Sequence, residues 1–177
     1  MITWGISANS HDAALAVFTD EGLEFASHSE RFSGVKNDAH LNAALIDYAK
    51  QWGEPDEVVW YERPFRKTLR QLRAGQGWNY RENNIKRYLK DYGITSPIRY
   101  VDHHLSHAAA GYYTSEFRDA TIICIDSIGE FETLTVWHGN EDTLEKKYAQ
   151  RYPHSIGLWY SAMTQRIGLK PQEDEYI

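Results

Sequence analysis

His103 and His107 stand four positions apart in the stretch His103-His104-Leu105-Ser106-His107-Ala108, and Asp126 follows nineteen positions after His107. Side chains four apart on a helix share one face, with Cβ atoms roughly 5–6 Å apart. Two imidazoles at that separation close on one metal ion, as in the i, i+4 pair of zinc proteases. The glutamate of that protease motif is missing, so the protease reading falls. Asp126 ends the apolar run Thr121-Ile122-Ile123-Cys124-Ile125, and a carboxylate at the tip of a buried strand supplies a third ligand from a second element. The competing reading is that these histidines cap a helix or hydrogen-bond in a polar core.

The elements that would position these groups follow from the apolar spacing. Ile2 to Ser7, Ala13 to Phe18 and Leu23 to His28 read as three strands, the middle one mostly buried, with Thr19-Asp20-Glu21-Gly22 as a hairpin turn. Residues 29–38 read as a polar loop. A helix is expected from about Ala39 to Trp52, capped by Asn37 or Asp38 and ended by Gly53, with Leu41, Leu45, Tyr48 and Trp52 on one stripe. Val58 to Tyr61 is a short central strand. Helically spaced Phe65, Leu69 and Leu72, a break at Gly75-Gln76-Gly77 and a second helix over about Arg81 to Tyr92 form a basic insertion at about 63–95. Ile98 to Val101 is a strand that leads into the histidine helix.

From Thr121 the order restarts: a strand to Asp126, a turn Ser127-Ile128-Gly129-Glu130, a strand Thr133 to Trp137, a turn at Gly139 to Asp142, and a segment Thr143 to Tyr152. A helix capped by His154 or Ser155 follows, with Ile156, Trp159, Tyr160, Met163 and Ile167 on one face and Gly168 at its end. The β-β-β-α order of residues 2–52 thus recurs at 121–168. The expected fold is α/β, ribonuclease H-like and actin-type: one complete β-β-β-α-β-α-β half at 1–115 and an incomplete second copy at 116–177. In that architecture the first hairpin turn of each half faces a shared cleft and binds phosphate through backbone N–H groups. Here those turns are Ser7–Asp12 and Asp126–Glu130, and each is also an ordinary hairpin turn.

Composition bounds the function class. The 177 residues suit an ordinary domain, and 42% hydrophobic content supports a core. The single cysteine, Cys124, cannot form an internal disulfide and is expected in the core. No signal-peptide pattern opens the chain and no apolar run approaches a membrane span, so a cytoplasmic protein without membrane contact is expected. Net charge is −6, yet residues 63–99 hold ten Lys and Arg against Glu82 and Asp91; that local +8 leaves −14 for the remainder. Such asymmetry marks an anion-facing segment.

His11-Asp12-Ala13-Ala14, Glu30-Arg31-Phe32 with Lys36 and Asp38, His103 to Ala109, Asp126 to Glu130, and Pro153 to Ala162 together resemble the O-carbamoyltransferases of nodulation-factor and antibiotic biosynthesis. The resemblance runs in order along nearly the whole chain. Its N-terminal domain is similar to the tRNA threonylcarbamoyl-adenosine synthases. It implies transfer of a carbamoyl group from carbamoyl phosphate to a hydroxyl acceptor, using ATP and passing through a carbamoyl adenylate. It implies His103, His107 and Asp126 as ligands of a divalent metal, with iron first and manganese or zinc also suited to these donors. It places His11, Asp12 and Lys36 near acceptor and adenylate, where His11 or Asp12 takes the hydroxyl proton and Lys36 offsets phosphate charge. Ser127, Gly129 and Glu130 would line the phosphate side, although a turn wants glycine at 129 anyway. Asp12 could equally cap a turn, Lys36 stand in solvent, and Glu30-Arg31 form a structural ion pair.

Relatives run to several hundred residues and continue past a Gly-Glu-Tyr-Lys stretch near the position of Glu173-Asp174-Glu175-Tyr176-Ile177. The expectation is therefore a truncated or split module, incomplete for catalysis alone, that forms a homodimer or pairs with a second chain carrying the missing region. A binding module is the alternative reading. The basic segment with Trp78, Tyr80 and Tyr88 could contact RNA, or an exposed sheet edge could recruit a partner protein. Against RNA stand the overall pI of about 5.7 and the plainer reading of a solvated helical insertion.

Overall fold

Alternating apolar residues at the start of the chain build an antiparallel meander. The computed structural model describes residues 1–171 and 174. In it β1 (Thr3–Ser7), β2 (Ala14–Thr19) and β3 (Gly22–His28) pair antiparallel in sequence order. The chain then passes through a short helix α1 (Glu30–Ser33) and helix α2 (Ala43–Ala49), which tightens into a 3₁₀ turn at Lys50–Trp52. Strand β4 (Glu57–Trp60) lies parallel to β1. A crossover of α3 (Pro64–Arg73) and α4 (Ile85–Asp91) brings β5 (Ile98–Tyr100) parallel to β4. The sheet order is β3-β2-β1-β4-β5. Three antiparallel strands followed by two parallel ones in that order are the expected ribonuclease H-like arrangement. The basic segment is the crossover itself, since parallel neighbours need a long connection.

One face of this sheet carries the core. Trp4 and Ile6 of β1, Leu15 and Val17 of β2, and Val58 and Trp60 of β4 are buried, and Leu45, Ile46 and Ala49 of α2 and Ile85 and Leu89 of α4 pack with them. Each buried Val, Leu or Ile among these is worth roughly 1.5–3 kcal/mol of transfer free energy. Strand β2 alternates rather than being mostly buried, and its Phe18 is exposed. Two further details differ from the sequence expectation. Residues 30–33, read as loop, form a helical turn closed by Gly34 at φ 70°. Helix α2 begins at Ala43, because Asn42, in extended conformation, accepts from Leu45 N at 2.9 Å. Asn37 sits at φ 56°, and the Asp38 carboxylate accepts instead from His40 N.

The second unit holds α5 (His103–Tyr113), β6 (Asp119–Gly129), β7 (Glu132–Asn140), β8 (Thr143–Arg151) and α6 (Ile156–Arg166). Its sheet is an antiparallel meander, β6-β7-β8. Ala108, Cys124 and Trp137 form a small core with Leu105, Ile122 and Leu144. The β-β-β-α order therefore recurs as expected. The compact units divide after Val101, whereas the repeat placed a boundary near residue 115. Helix α5 packs on β6 and β7 and so belongs with the second sheet. The stretch expected to turn at Ser127–Glu130 is also different. Strand β6 runs on to Gly129 with a register shift after Ile125, and the turn falls at Glu130, φ 57°. Of the terminal stretch Glu173 to Ile177, all but Asp174 lie outside the described residues.

Candidate metal centre

Helix α5 starts immediately after Asp102, whose extended backbone forms the N-cap and whose carbonyl accepts the first helical bond from Ser106 N at 3.0 Å. This start puts His103 in the first turn and His107 one turn on. Their Nε2 atoms lie 3.0 Å apart and their ring centroids 4.7 Å. Asp126, near the end of β6, brings Oδ2 to 2.9 Å from His103 Nε2. The three donor atoms lie within 4.8 Å of one another. Donors each about 2.1 Å from a shared ion stand roughly 3–3.5 Å apart, a spacing that the two contacts of His103 Nε2, at 3.0 and 2.9 Å, come close to. Two imidazole nitrogens facing each other also repel unless a proton or an ion lies between them.

Asp126 is held by its surroundings. Its Oδ1 accepts from Ser127 N at 2.7 Å. Ser155 Oγ, 2.6 Å from the Ser127 carbonyl and 3.2 Å from that of Asp126, ties the start of α6 to this part of β6 and caps α6 by accepting from Leu158 N. Burial raises the Asp126 carboxyl, but the hydrogen bond and charge of His103, the Ser127 amide and His107 together outweigh it, so its pKa lies below the usual carboxylate value. The carboxylate is thus in the charged form a metal ligand needs.

Two glycines make the approach of these elements possible. A Cβ on Gly129 would run into the His103 imidazole. A Cβ on Gly157 would lie 2.6 Å from Ser127 N and 2.7 Å from the Asp126 carbonyl oxygen. Gly129 thus has a packing reason to be glycine, and the Ser127 amide is already engaged by Asp126. Glu130, at the turn, is buried. The sequence signal for Gly157 is its position in the first turn of a helix capped by Ser155.

His104 takes no part in the cluster. It is fully buried, with Nδ1 2.9 Å from Thr135 Oγ1 and Nε2 3.1 Å from the Glu132 carbonyl. A carbonyl can only accept, so Nε2 carries the proton. Thr135 Oγ1, which already accepts from Trp137 Nε1 at 2.7 Å, then donates to Nδ1.

The remaining expected residues belong to the first unit. His11 Nδ1 and Asp12 Oδ2 are 2.9 Å apart on an exposed turn where Asp12 adopts φ 50°. Backbone bonds from Asn9 N to the Ala39 carbonyl and from Ala13 N to the Asp38 carbonyl join that turn to the loop bearing the exposed Lys36. Arg31 lies 3.9 Å from Glu30. Beneath the turn is a pair that sequence reasoning missed. Lys67 Nζ donates to Glu62 Oε1 at 2.7 Å, both side chains nearly buried, and lies 3.5 Å from the Asn9 carbonyl. Helix α3 buries Lys67 and Thr68, while Phe65 and Leu72, which the apolar spacing picks out, are exposed.

A family model, carbamoyltransferase N-terminus, matches residues 61–177. The chain belongs to that family. An uncharacterized protein of Synechocystis sp. is 33% identical over 97% of this chain and 33% of its own length. An uncharacterized protein of Methanocaldococcus jannaschii is 26% identical over 94% of this chain and 30% of its own. The chain thus spans about a third of the length of these relatives. A solved Ppx/GppA family structure from Aquifex aeolicus covers 93% of this chain and 54% of its own, with a TM-score of 0.43 and 15% identity. In this member of the carbamoyltransferase N-terminus family, the candidate metal set found among the described residues comes from α5 and β6 of one unit. No helix among the described residues is long and apolar enough to cross a membrane.

Proposed function

We propose that this chain is the N-terminal module of an ATP-dependent O-carbamoyltransferase and that His103, His107 and Asp126 hold a divalent metal in it, with iron ahead of manganese and zinc. The convergence of two Nε2 atoms and one carboxylate oxygen within 4.8 Å carries this reading. A metal bound there supplies Lewis-acid polarisation of a phosphate or carbonyl oxygen. Water takes the phosphate from carbamoyl phosphate, and an oxygen of the resulting carbamate bonds to the α-phosphorus of ATP as pyrophosphate leaves, giving the carbamoyl adenylate. The acceptor hydroxyl oxygen then bonds to the carbamoyl carbon, AMP leaves with the electron pair of the broken bond, and the hydroxyl proton passes to Asp12 or His11. Their 2.9 Å contact on an exposed turn supports that proton-accepting role. Lys36, on the loop that backbone bonds join to that turn, offsets phosphate charge; within the second unit the Ser127 hydroxyl and Glu130 would line a phosphate.

Metal analysis of the purified chain tests the metal claim. One equivalent of metal is expected in the native protein and less than a tenth of that in His107→Ala. Equal content in both, or none in either, overturns it. Carbamoyl transfer by the 177-residue chain alone would overturn the claim that it is an incomplete module.

A specific surface favours a partner as well. Strand β6 pairs only with β7 among the described residues. Ile123 and Ile125 on it, Ile156, Trp159 and Tyr160 on α6, and Ile167 just after α6 are exposed. In the first unit the edge equivalent to that of β6 is covered by the parallel strand β4. A polypeptide that adds a parallel strand and a helix to β6 is the occupant this surface fits.

A further inference from the structure

The crossover between β4 and β5 carries a cationic surface that the metal centre does not use. Arg73, Arg81, Lys86, Arg87 and Lys90 are exposed, and their side chains make no hydrogen bond or ion pair among the described residues. Arg63 and Arg66 already have partners and are not among them. Ile85 and Leu89 bury one face of α4, which turns Lys86, Arg87 and Lys90 to the other. The acids of the segment, Glu82 and Asp91, are exposed too, and neither pairs with a cation among the described residues. Cations without counter-ions repel one another, and a polyanion relieves that repulsion.

Aromatic rings stand among these charges. Phe65, Trp78 and Tyr80 are 58%, 54% and 54% exposed. Trp78 and Tyr80 lie with planes 14° from parallel and centroids 6.1 Å apart. Phe65, Tyr80 and Lys86 line one open crevice. The segment that bears these rings is fastened to α3. Arg70 Nη1 donates to Gln76 Oε1 at 3.0 Å, and Asn79 Nδ2 to the Gln76 carbonyl at 3.3 Å. The buried Asn83 donates through Nδ2 to Thr68 Oγ1 at 2.8 Å and to Gln71 Oε1 at 2.7 Å. Rings fixed before a ligand arrives lose little freedom on binding it.

We infer that this surface binds a single strand of nucleic acid, with bases stacked on Phe65, Trp78 and Tyr80 and phosphates against Arg81, Lys86, Arg87 and Lys90. Open rings interleaved with cations match the two repeating parts of such a strand, its base faces and its phosphates. A duplex keeps its base faces stacked inside and would leave the rings unused. A membrane would need the apolar side chains to stand clear of the charges at one depth, whereas here a phenol and an ammonium line the same crevice. The net charge of −6 does not oppose the strand, because exposed charges farther than about 8 Å are largely screened at physiological ionic strength. The inference is independent of the metal-centre reading.

Fluorescence anisotropy of labelled oligo(U) and oligo(dT) of about 12 nucleotides, titrated with the 177-residue chain, tests it. Both should bind saturably at 50 mM salt, since rings and phosphates are common to the two, and saturable binding of either supports the inference. Raising the salt to 200 mM should weaken binding roughly fiftyfold for four engaged phosphates. Arg87→Glu with Lys90→Glu should weaken it at least tenfold, and Trp78→Ala at least fivefold, each with native circular dichroism. Lys147→Glu with Arg151→Glu, the same charge change on the exposed side of β8, should bind as the native chain does. His107→Ala should too, which separates this surface from the metal centre. Binding of neither oligomer overturns the inference, as does unchanged binding in both folded crossover variants. An equal loss in the β8 variant also overturns it, by showing an effect of net charge alone. So does binding to phosphatidylglycerol vesicles that neither oligomer displaces.

Discussion

Protonating His104 would put a charge among Thr135, the Glu132 carbonyl and the Trp137 indole, where no carboxylate hydrogen-bonds it. Burial holds its pKa below the usual imidazole value of 6.5; Asp126 opposes this, and His103 adds to it. Below pH 6.5 the unfolded state therefore binds more protons than the folded one. The stability contributed by neutral His104 is fully present above that pH and is lost as pH falls through the folded value. Urea unfolding at pH 7.5 and pH 5.5 should show this loss, with a shallower pH slope in His104→Gln. Cys124 is the complementary case. Burial raises its thiol pKa, so the folded protein should react with Ellman's reagent at pH 8 at least 100-fold more slowly than in urea. Gly129 and Gly157 decide the metal centre without donating an atom to it. Gly157→Ala should cost about 1–3 kcal/mol in urea unfolding, since backbone on both sides of its Cβ has little room to give.

At the scale of elements, two connections carry much of the positioning. Ser155 both caps α6 and hydrogen-bonds the β6 backbone beside Asp126, so Ser155→Ala should cost about 1–2 kcal/mol and lower metal occupancy. Calorimetric unfolding and metal analysis on the same preparation check both parts. Helix α3 is anchored through Lys67, whose ammonium donates to the nearly buried Glu62 carboxylate. Removing one member, as in Lys67→Ala, leaves a buried charge and should cost about 3–5 kcal/mol. Replacing both, as in Lys67→Met with Glu62→Leu, should recover most of that loss in urea unfolding. Apolar spacing marks Phe65, Leu69 and Leu72 as one helical stripe, and in the structure that stripe is exposed while Lys67 and Thr68 are buried. A helix over the carboxyl ends of strands can bury a paired lysine, which no hydropathy pattern registers.

For the whole molecule, the repeat is the organising fact. The first unit completes its sheet with two parallel strands, while the described part of the second leaves β6 with one partner and an apolar surface beside it. An exposed, largely apolar edge of this kind recruits another strand. The 177-residue chain should therefore associate with increasing concentration in sedimentation velocity. Ile123→Lys should shift it toward the monomer without changing its circular dichroism.

Much was determined by sequence alone. Strand alternation, the Gly22 turn, a cap for α6 at His154 or Ser155, the order of elements within each β-β-β-α repeat and the spacing of His103 and His107 are local, because each depends on residues within a few positions of one another. The helical turn at 30–33 and the late start of α2 escaped because several polar residues there could each have capped. Tertiary structure alone decided that His103 and His107 face Asp126 while His104 turns to Thr135. It also decided that Gly129 and Gly157 make room for that approach and that Lys67 is buried on Glu62. Each of these depends on which elements lie side by side, and that is settled by the packing of sheet and helix faces far apart along the chain.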